Sequence, residues 1–378
     1  MKNTNHCVFY HGDLKYEGRI CAIIRSLANS FPSHNIYLYE LKVTNDYYKG
    51  LLPKNVIIKK PRLFLHKFKK SPITTPLLFF EFAIRALLFL LSKKPISVQV
   101  HNEMVTLGPL AYKYLFPGCQ YVYDDKELYL PKDGNIFKSL YCIEQQLIKK
   151  SDLVIITNNY RKKALLKLHH YKLKYLIVDN YVFQNGAKAL SDSHRTKIEF
   201  FKNQKKKILI HQSVLKKDRG LDNFKELISQ LPDNWILGFI GIKNEAFSEL
   251  LQNIGASYRD KLCNFGYIDY NELDSFYNYI DGAVIFYNAN TFNNKYCAPN
   301  RLYSAANNGV PIIVNHDNFT LSNFIQKHQN GVVFNRESLS RFFNDYESFK
   351  NNSEKLKGKY CFKESIPDIQ DYYSRMNN

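Results

Sequence analysis

The chain has 378 residues, 45% of them hydrophobic and 23% charged, which excludes a disordered protein and is long enough for two cores. Its formal net charge of +19, from 53 Lys and Arg against 34 Asp and Glu, favours an anionic partner: nucleotide, anionic lipid surface or nucleic acid. Seven scattered cysteines, odd in number and never in a C-x-x-C pair, argue against a disulfide or zinc framework and for a reducing compartment.

Strand-length apolar runs alternate with helical patterns along the chain. The expected strands of the first half are Cys7–Tyr10, Ile36–Leu41, Val56–Ile58, Ile96–Val100, Tyr121–Tyr123, Leu153–Thr157 and Leu176–Val178. Those of the second are Ile208–Ile210, Ile236–Ile240, Ala283–Phe286, Ile312–Val314 and Val332–Phe334. Helical periodicity covers Gly18–Asn29, Ile136–Lys150, Leu221–Gln230 and Asn271–Tyr279. Strands apolar on both faces and separated by helices predict parallel sheets covered on both sides, an α/β fold. Between Tyr181 and Lys207 the periodicity lapses into Gly, Ser, Asn, Gln and Lys, which marks a boundary. The expected division is a Rossmann-like domain over 1–185, a second over 186–350, and a helical segment, 351–378, returning towards the first. Lys149–Ile156 and Asn278–Ile285 both end a helix and open a buried strand through an aspartate, Asp152 and Asp281, as two similar halves would.

The run Pro76–Leu91 is nearly all apolar, with Lys67, Lys69 and Lys70 before it and Lys93 and Lys94 after it. It is too short to span a bilayer, and Glu81 and Arg85 stand four apart within it. Two readings stay open: a buried core helix, or an interfacial helix resting on a membrane. Met1 to His11 is too short and polar for a signal peptide, so the expected location is cytoplasmic, at most peripheral at the inner face of the cell membrane. The basic clusters come without an RNP signature, zinc-finger spacing or basic tail, which speaks against nucleic acid.

The most informative segment is Pro299-Asn-Arg-Leu-Tyr-Ser-Ala-Ala-Asn-Asn-Gly309, leading through Val310 and Pro311 into Ile312–Val314. A polar loop opens a helix, a glycine ends it and an apolar strand follows. The free N–H groups and partial positive charge of such a helix start seat a phosphate or diphosphate. His101, Asp124 and Arg219 each follow an expected strand, where ligands of open parallel sheets bind, so all three are expected to face a cleft. Arg219, before Gly220 and a helix, offers a planar fork of donors to a diphosphate.

Several segments, in order, resemble GT-B glycosyltransferases, especially the retaining ones of family four. Pro299–Val314 resembles "PNKLFEYMAAGVPVV"; Gly12–Arg19 the loop and "D-x-R-V" helix after the first strand; Val98–Glu103 the "HxHE" stretch; Tyr123–Leu128 "YDxHEL". In the second half, Ile208–Ser213 with Lys217–Leu221 resembles "VLYQGxLxxxRGL", and Leu262–Gly266 with Asn271–Leu273 resembles "VxFLGxVxxxEL". The resemblance implies two Rossmann-like domains with parallel sheets facing across a cleft. It implies a glycosyltransferase moving a sugar from a nucleotide-sugar to a glycan or lipid-linked acceptor, with retention, in surface polysaccharide biosynthesis. Catalytic roles would fall to His101, Asp124 and Glu127. The donor would be held by Asp13, Ser213, Lys217, Arg219, backbone at Gly266 and Ile268, and Pro299, Asn300, Arg301, Leu302 and Ser304. No cofactor or metal is expected, the cations and the helix start replacing an ion, and no strand-flanked D-x-D is present. Tyr296 and Ser304 stand where the family's E-x7-E pair belongs, so ribose recognition must differ. A nucleotide-sugar epimerase of similar architecture and a basic nucleic-acid-binding protein are the alternatives. The lack of G-x-G-x-x-G after the first strand speaks against a dehydrogenase.

Overall fold

The computed structural model describes residues 4–376 apart from 13, 15–16, 41–51, 66–73, 128–134, 170–173, 184–187, 217–218, 255 and 364. Asp13, Lys217 and the lysines at 67, 69 and 70, all singled out above, lie outside the described residues. Two compact units are present: Met1–Asp179 with Phe362–Asn378, and Asn180–Cys361. Residues 351–361, grouped above with the returning segment, cluster with the second unit; Phe362–Asn378 clusters with the first.

The first unit contains β1 (Asn5–Tyr10), α1 (Gly18–Ser30), β2 (Asn35–Glu40), β3 (Val56–Lys59), α2 (Thr74–Lys93), β4 (Ser97–His101), α3 (Leu107–Leu115), β5 (Gln120–Asp125), α4 (Asn135–Lys150), β6 (Leu153–Ile156), α5 (Asn159–His169) and β7 (Tyr175–Ile177). Its strands form one parallel sheet in the order β3-β2-β1-β4-β5-β6-β7. The chain leaves β1 in one direction and returns at β4 in the other, so the strand order reverses between them. Side chains at the carboxyl ends of β1 and β4 therefore stand at a topological switch point.

The second unit runs β8 (Val182–Phe183), α6 (Asp192–Asn203), β9 (Lys207–Gln212), α7 (Phe224–Ser229), β10 (Trp235–Ile240), α8 (Asn244–Ile254), β11 (Leu262–Gly266), α9 (Leu273–Tyr277), β12 (Gly282–Ile285), α10 (Phe292–Tyr296), α11 (Asn300–Asn307), β13 (Ile312–Val314), α12 (Phe319–His328), β14 (Gly331–Val333), α13 (Arg336–Asn344) and α14 (Tyr346–Glu354). Its parallel sheet reads β11-β10-β9-β12-β13-β14, with the switch point between β9 and β12. One face is covered by a core holding Leu302, Ala305 and Ala306 of α11, the other by a core holding Phe224 and Leu227 of α7. Burying Leu302 alone is worth about 2 kcal/mol, and it pins the start of α11 over the switch point.

The helix expected over Leu221–Gln230 is shorter. A 3-10 turn, Leu221–Asn223, precedes α7 because Gly220 adopts a left-handed φ of 73°. No other residue fits there: a Cβ on Gly220 would lie 2.4 Å from Cβ of Phe286.

The core-helix reading describes one face of α2. Phe82, Ala83, Ala86 and Leu90 are buried, while Leu77 (48%), Phe80 (60%), Ile84 (58%) and Leu88 (60%) are exposed. These last recur at helical spacing, so α2 has an apolar face in the core and a second apolar face in solvent. Among the described residues no helix is long and apolar enough to cross a membrane. All seven cysteines are free thiols.

The last helix, α15 (Pro367–Ser374), packs on the first unit with Ile369 and Tyr373 buried. It is tied down by Ile366 N–H donating to Ser26 Oγ at 2.7 Å and Tyr373 O–H donating to Gln99 Oε1 at 2.6 Å.

Candidate functional site

Two arginines of the second unit meet at the β9/β12 switch point. Arg301, in the first turn of α11, is buried. Its Nη1 donates to Gln212 O at the end of β9 (2.6 Å) and its Nη2 to Phe286 O just past β12 (3.3 Å). Gln212 is held in turn by the Tyr277 O–H, which donates to its Oε1 at 2.8 Å. Among the described residues Arg301 has no carboxylate partner. Burial lowers its pKa and the nearby Arg219 adds to this, while Tyr287 opposes.

Arg219 reaches the same place from the loop before Gly220. Its Cζ lies 4.0 Å from the centroid of the Tyr287 ring, and Arg301 Cζ lies 4.8 Å from it. His211, one residue before the end of β9, is fully buried against Phe224 and neither ring nitrogen completes a hydrogen bond, although the backbone of Val284 and Val214 lies alongside. Burial first, then Arg301, push its pKa well below the ordinary value, so it adds no charge to the pair.

The remaining donor-site residues differ in availability. Pro299 caps α11 without a side-chain bond, and Leu302 N–H turns back to Pro299 O at 3.0 Å. Leu302 is thus a core residue, and the backbone donors facing outward at this helix start are those of Asn300 and Arg301. Ser304 is buried one turn further on, and Ser213 is half-buried just past β9. Gly266 has a φ of 77°, donates its N–H to Asn264 Oδ1 (2.9 Å) and accepts Gly241 N–H at its carbonyl (2.8 Å). Ile268 is a core residue. At Gly266 both backbone groups expected to meet a base thus already have protein partners.

A cavity of about 730 Å³ opens on the β12–β14 side, lined by Asp222, Glu226, Asn288, Asn315 and Asp317 among others. Its three carboxylates, set against Arg336 and His316 in the same lining, make it a poorer seat for phosphate than the arginine side of the Tyr287 segment.

In the first unit His101 and Asp124 do not stand open, as expected of strand-end side chains; both are fully buried. His101 Nδ1–H donates to Asp124 Oδ2 at 2.6 Å, and Gln99 Nε2 donates to His101 Nε2 at 2.7 Å. Arg19 Nη1 donates to Asp124 Oδ2 at 2.9 Å, its Nη2 meets Oδ1, and its Nε donates to Val178 O at 2.8 Å. Burial alone would raise the Asp124 carboxyl, but the Arg19 guanidinium and the His101 contact hold it well below the usual range. Both nitrogens of the imidazole are thereby occupied within the unit, because neighbouring strand ends and α1 supply complementary groups. Glu127 is half-buried, 3.7 Å from Arg161 Nη2. Tyr287 and Asn315 carry weight that the sequence reading missed; aromatic character just past a buried strand and a polar residue ending the next are the faint signals they leave.

Residues 192–358 match the family model described as glycosyl transferases group 1. No curated protein sequence matches the chain. Among solved structures, sucrose-phosphate synthase from Thermosynechococcus elongatus is similar with a TM-score of 0.72 at 12% identity, covering 99% of this chain and 98% of that one. HepE from Anabaena in complex with UDP-glucose gives 0.68 at 11%, covering 99% of each. A glycosyltransferase from Rickettsia africae gives 0.64 at 12%, covering all of both chains, 100% each. Residues 192–358 match a group 1 glycosyltransferase domain, and the chain, built from two Rossmann-like units, has the GT-B fold.

Proposed function

We propose that the chain moves a sugar from a nucleoside-diphosphate donor to a glycan or lipid-linked acceptor in surface polysaccharide assembly, with retention at the anomeric carbon. One observation carries the donor reading: Arg219 and Arg301 converge on Tyr287 at the start of α11. That HepE was solved with UDP-glucose supports a UDP-sugar as the first donor to try.

As the bond from sugar to diphosphate breaks, negative charge grows on the departing oxygen. Fixed cations and the helix start stabilise that charge without reorganising, the role a divalent ion would otherwise fill. Arg301 is preset by two carbonyls, so little freedom is lost when phosphate arrives. Ser304 offers the ribose one oxygen where a carboxylate would offer two, which shifts donor binding towards the phosphates. In the first unit His101 and Asp124 fix the strand ends, and Glu127 is the one of the three expected catalytic residues that solvent reaches. The solvent-facing stripe of α2 supports a peripheral position on the inner face of the cell membrane, where a lipid-linked acceptor would be met.

Donor turnover without acceptor tests this reading. Incubated with UDP-glucose, GDP-mannose and ADP-glucose, the protein is expected to release nucleoside diphosphate slowly from one of them. Arg219→Ala should reduce that release about ten- to hundredfold, the loss of one charge-assisted contact. Full activity in Arg219→Ala refutes the site; no release from any donor refutes the function.

A further inference from the structure

Two guanidinium groups repel each other, and Arg301 is fixed from below by the carbonyls of Gln212 and Phe286 whatever its neighbour does. Arg219 has a different attachment. It belongs to a loop and is half-buried, and its guanidinium carbon sits 4.0 Å from the centroid of the Tyr287 ring. The face of an aromatic ring carries negative charge density that attracts a cation, more strongly where water is excluded. One ring contacted by both arginines thus offsets part of their repulsion and keeps Arg219 close to Arg301.

The ring is itself held. Tyr287 lies two residues beyond β12, past the last paired position, Ile285 with Val314. There Asn315, only 2% exposed, acts as an extra strand residue: its Oδ1 accepts Tyr287 N–H at 2.8 Å and its Nδ2 donates to Tyr287 O at 2.8 Å. Asn315 Nδ2 also lies 3.3 Å from Asn288 Oδ1 and 3.2 Å from Asp317 Oδ2, so the amide is locked in one orientation. From the other side Gly220, next to Arg219, lies so close to Phe286 that a Cβ would collide with it. The loop bearing Arg219 and the segment bearing Tyr287 are therefore docked on each other through adjacent residues.

We infer that Tyr287 is a positioning residue that holds Arg219 beside Arg301 so that the two cations together receive the diphosphate of the donor, with Asn315 fixing Tyr287 in place. This rests on the donor reading above and adds to it a residue acting through the arginines. The ring face, not the phenol, does the holding, and the effect falls on ligands carrying two phosphates more than on those carrying one. A side chain that merely filled space would affect both ligands equally.

Calorimetric titration of UDP, GDP and ADP, and of the monophosphate of whichever base binds, decides the matter on wild type, Tyr287→Phe, Tyr287→Leu and Asn315→Ala. Tyr287→Phe should keep the ratio of diphosphate to monophosphate affinity within about twofold, and Tyr287→Leu should lower it about tenfold, as expected for loss of a desolvated cation–π contact. Asn315→Ala should lower the same ratio by about threefold, and it keeps the test alive if Tyr287→Leu does not fold. An unchanged ratio in the folded Leu and Ala variants overturns the inference, as does equal loss for both ligands. A Phe variant as weak as the Leu variant assigns the role to the hydroxyl and also overturns it. If wild type binds none of the three diphosphates, the donor reading itself has failed, a separate outcome.

Discussion

A carboxyl buried without enough partners keeps its proton, and the first unit holds three such groups near one another. Glu103 follows β4, Asp125 ends β5 and Glu144 projects from α4; all are buried. Both oxygens of Asp125 and Oε2 of Glu103 make no hydrogen bond, while Glu144 accepts the Tyr123 O–H. Burial pushes Glu103 up from 4.5 to about 7, with Glu127 and Asp125 adding to the rise and Lys126 opposing it. Asp125 also rises to about 7, by burial against the pull of Arg161, and Glu144 rises by burial and the charge of Asp125. In the unfolded chain Glu103 loses its proton near the ordinary value, whereas the folded chain keeps it until about pH 7. Stability contributed by the group therefore falls as pH rises through that window, and the full cost is felt above it. Glu103→Gln should stabilise the protein at pH 8 by up to about 3 kcal/mol, from a shift of some 2.5 pH units, and change little at pH 5. Thermal unfolding at the two pH values checks this, and an equal effect at both contradicts it. Of the single residues, the placement of Arg219 after a strand and of Arg301 at a helix start was legible, because each sits in a motif tied to such an element. The enclosure of His101 was not, because it depends on Gln99, Asp124, Arg19 and Tyr373, which meet only in the fold.

At the scale of elements, α2 has the clearest consequence. A helix apolar on one side is explained by the core; one that also has Leu77, Phe80, Ile84 and Leu88 in solvent presents the stripe on which the peripheral-membrane proposal rests. Lys93 at its end stands over the rings of Tyr37 (4.9 Å) and Phe89 (6.0 Å), a cation placed at the edge of the stripe. Phe80→Ser with Leu88→Ser should weaken sedimentation with phosphatidylglycerol vesicles at least about tenfold, at roughly 1 kcal/mol lost per side chain. The melting temperature should hardly move, since both side chains are exposed. Unchanged vesicle binding would remove the peripheral-membrane proposal, and a large fall in melting temperature would mean the stripe packs within the protein. The strands were readable in advance because parallel strands are apolar on both faces and interrupt the helical period. The short turns were less so: Leu221–Asn223 and Tyr270–Glu272 each tighten to 3-10 before α7 and α9, a choice that local periodicity does not encode.

At the scale of the whole molecule, the chain passes from the first unit to the second after Asp179 and returns after Cys361. Residues 362–378 give the first unit the buried Ile369 and Tyr373 and two hydrogen bonds, to Ser26 and Gln99. Ending the chain at Cys361 removes about 4 kcal/mol of burial from the first unit, at roughly 2 kcal/mol per fully buried side chain. It also leaves the Gln99 amide without its tyrosine partner, and Gln99 is what completes His101. The second unit keeps both cores and the Arg219–Tyr287–Arg301 group, so its response to nucleotide should survive. Scanning calorimetry of the full and shortened chains should show the shortened chain melting a first transition earlier. A diphosphate at a hundred times its Kd should still raise the stability of the remaining transition by about 2.7 kcal/mol in both. A shortened chain that loses the nucleotide response while its second transition persists would show that the donor site draws on the first unit. One whose thermogram matches the full chain would show that α15 contributes no net stability.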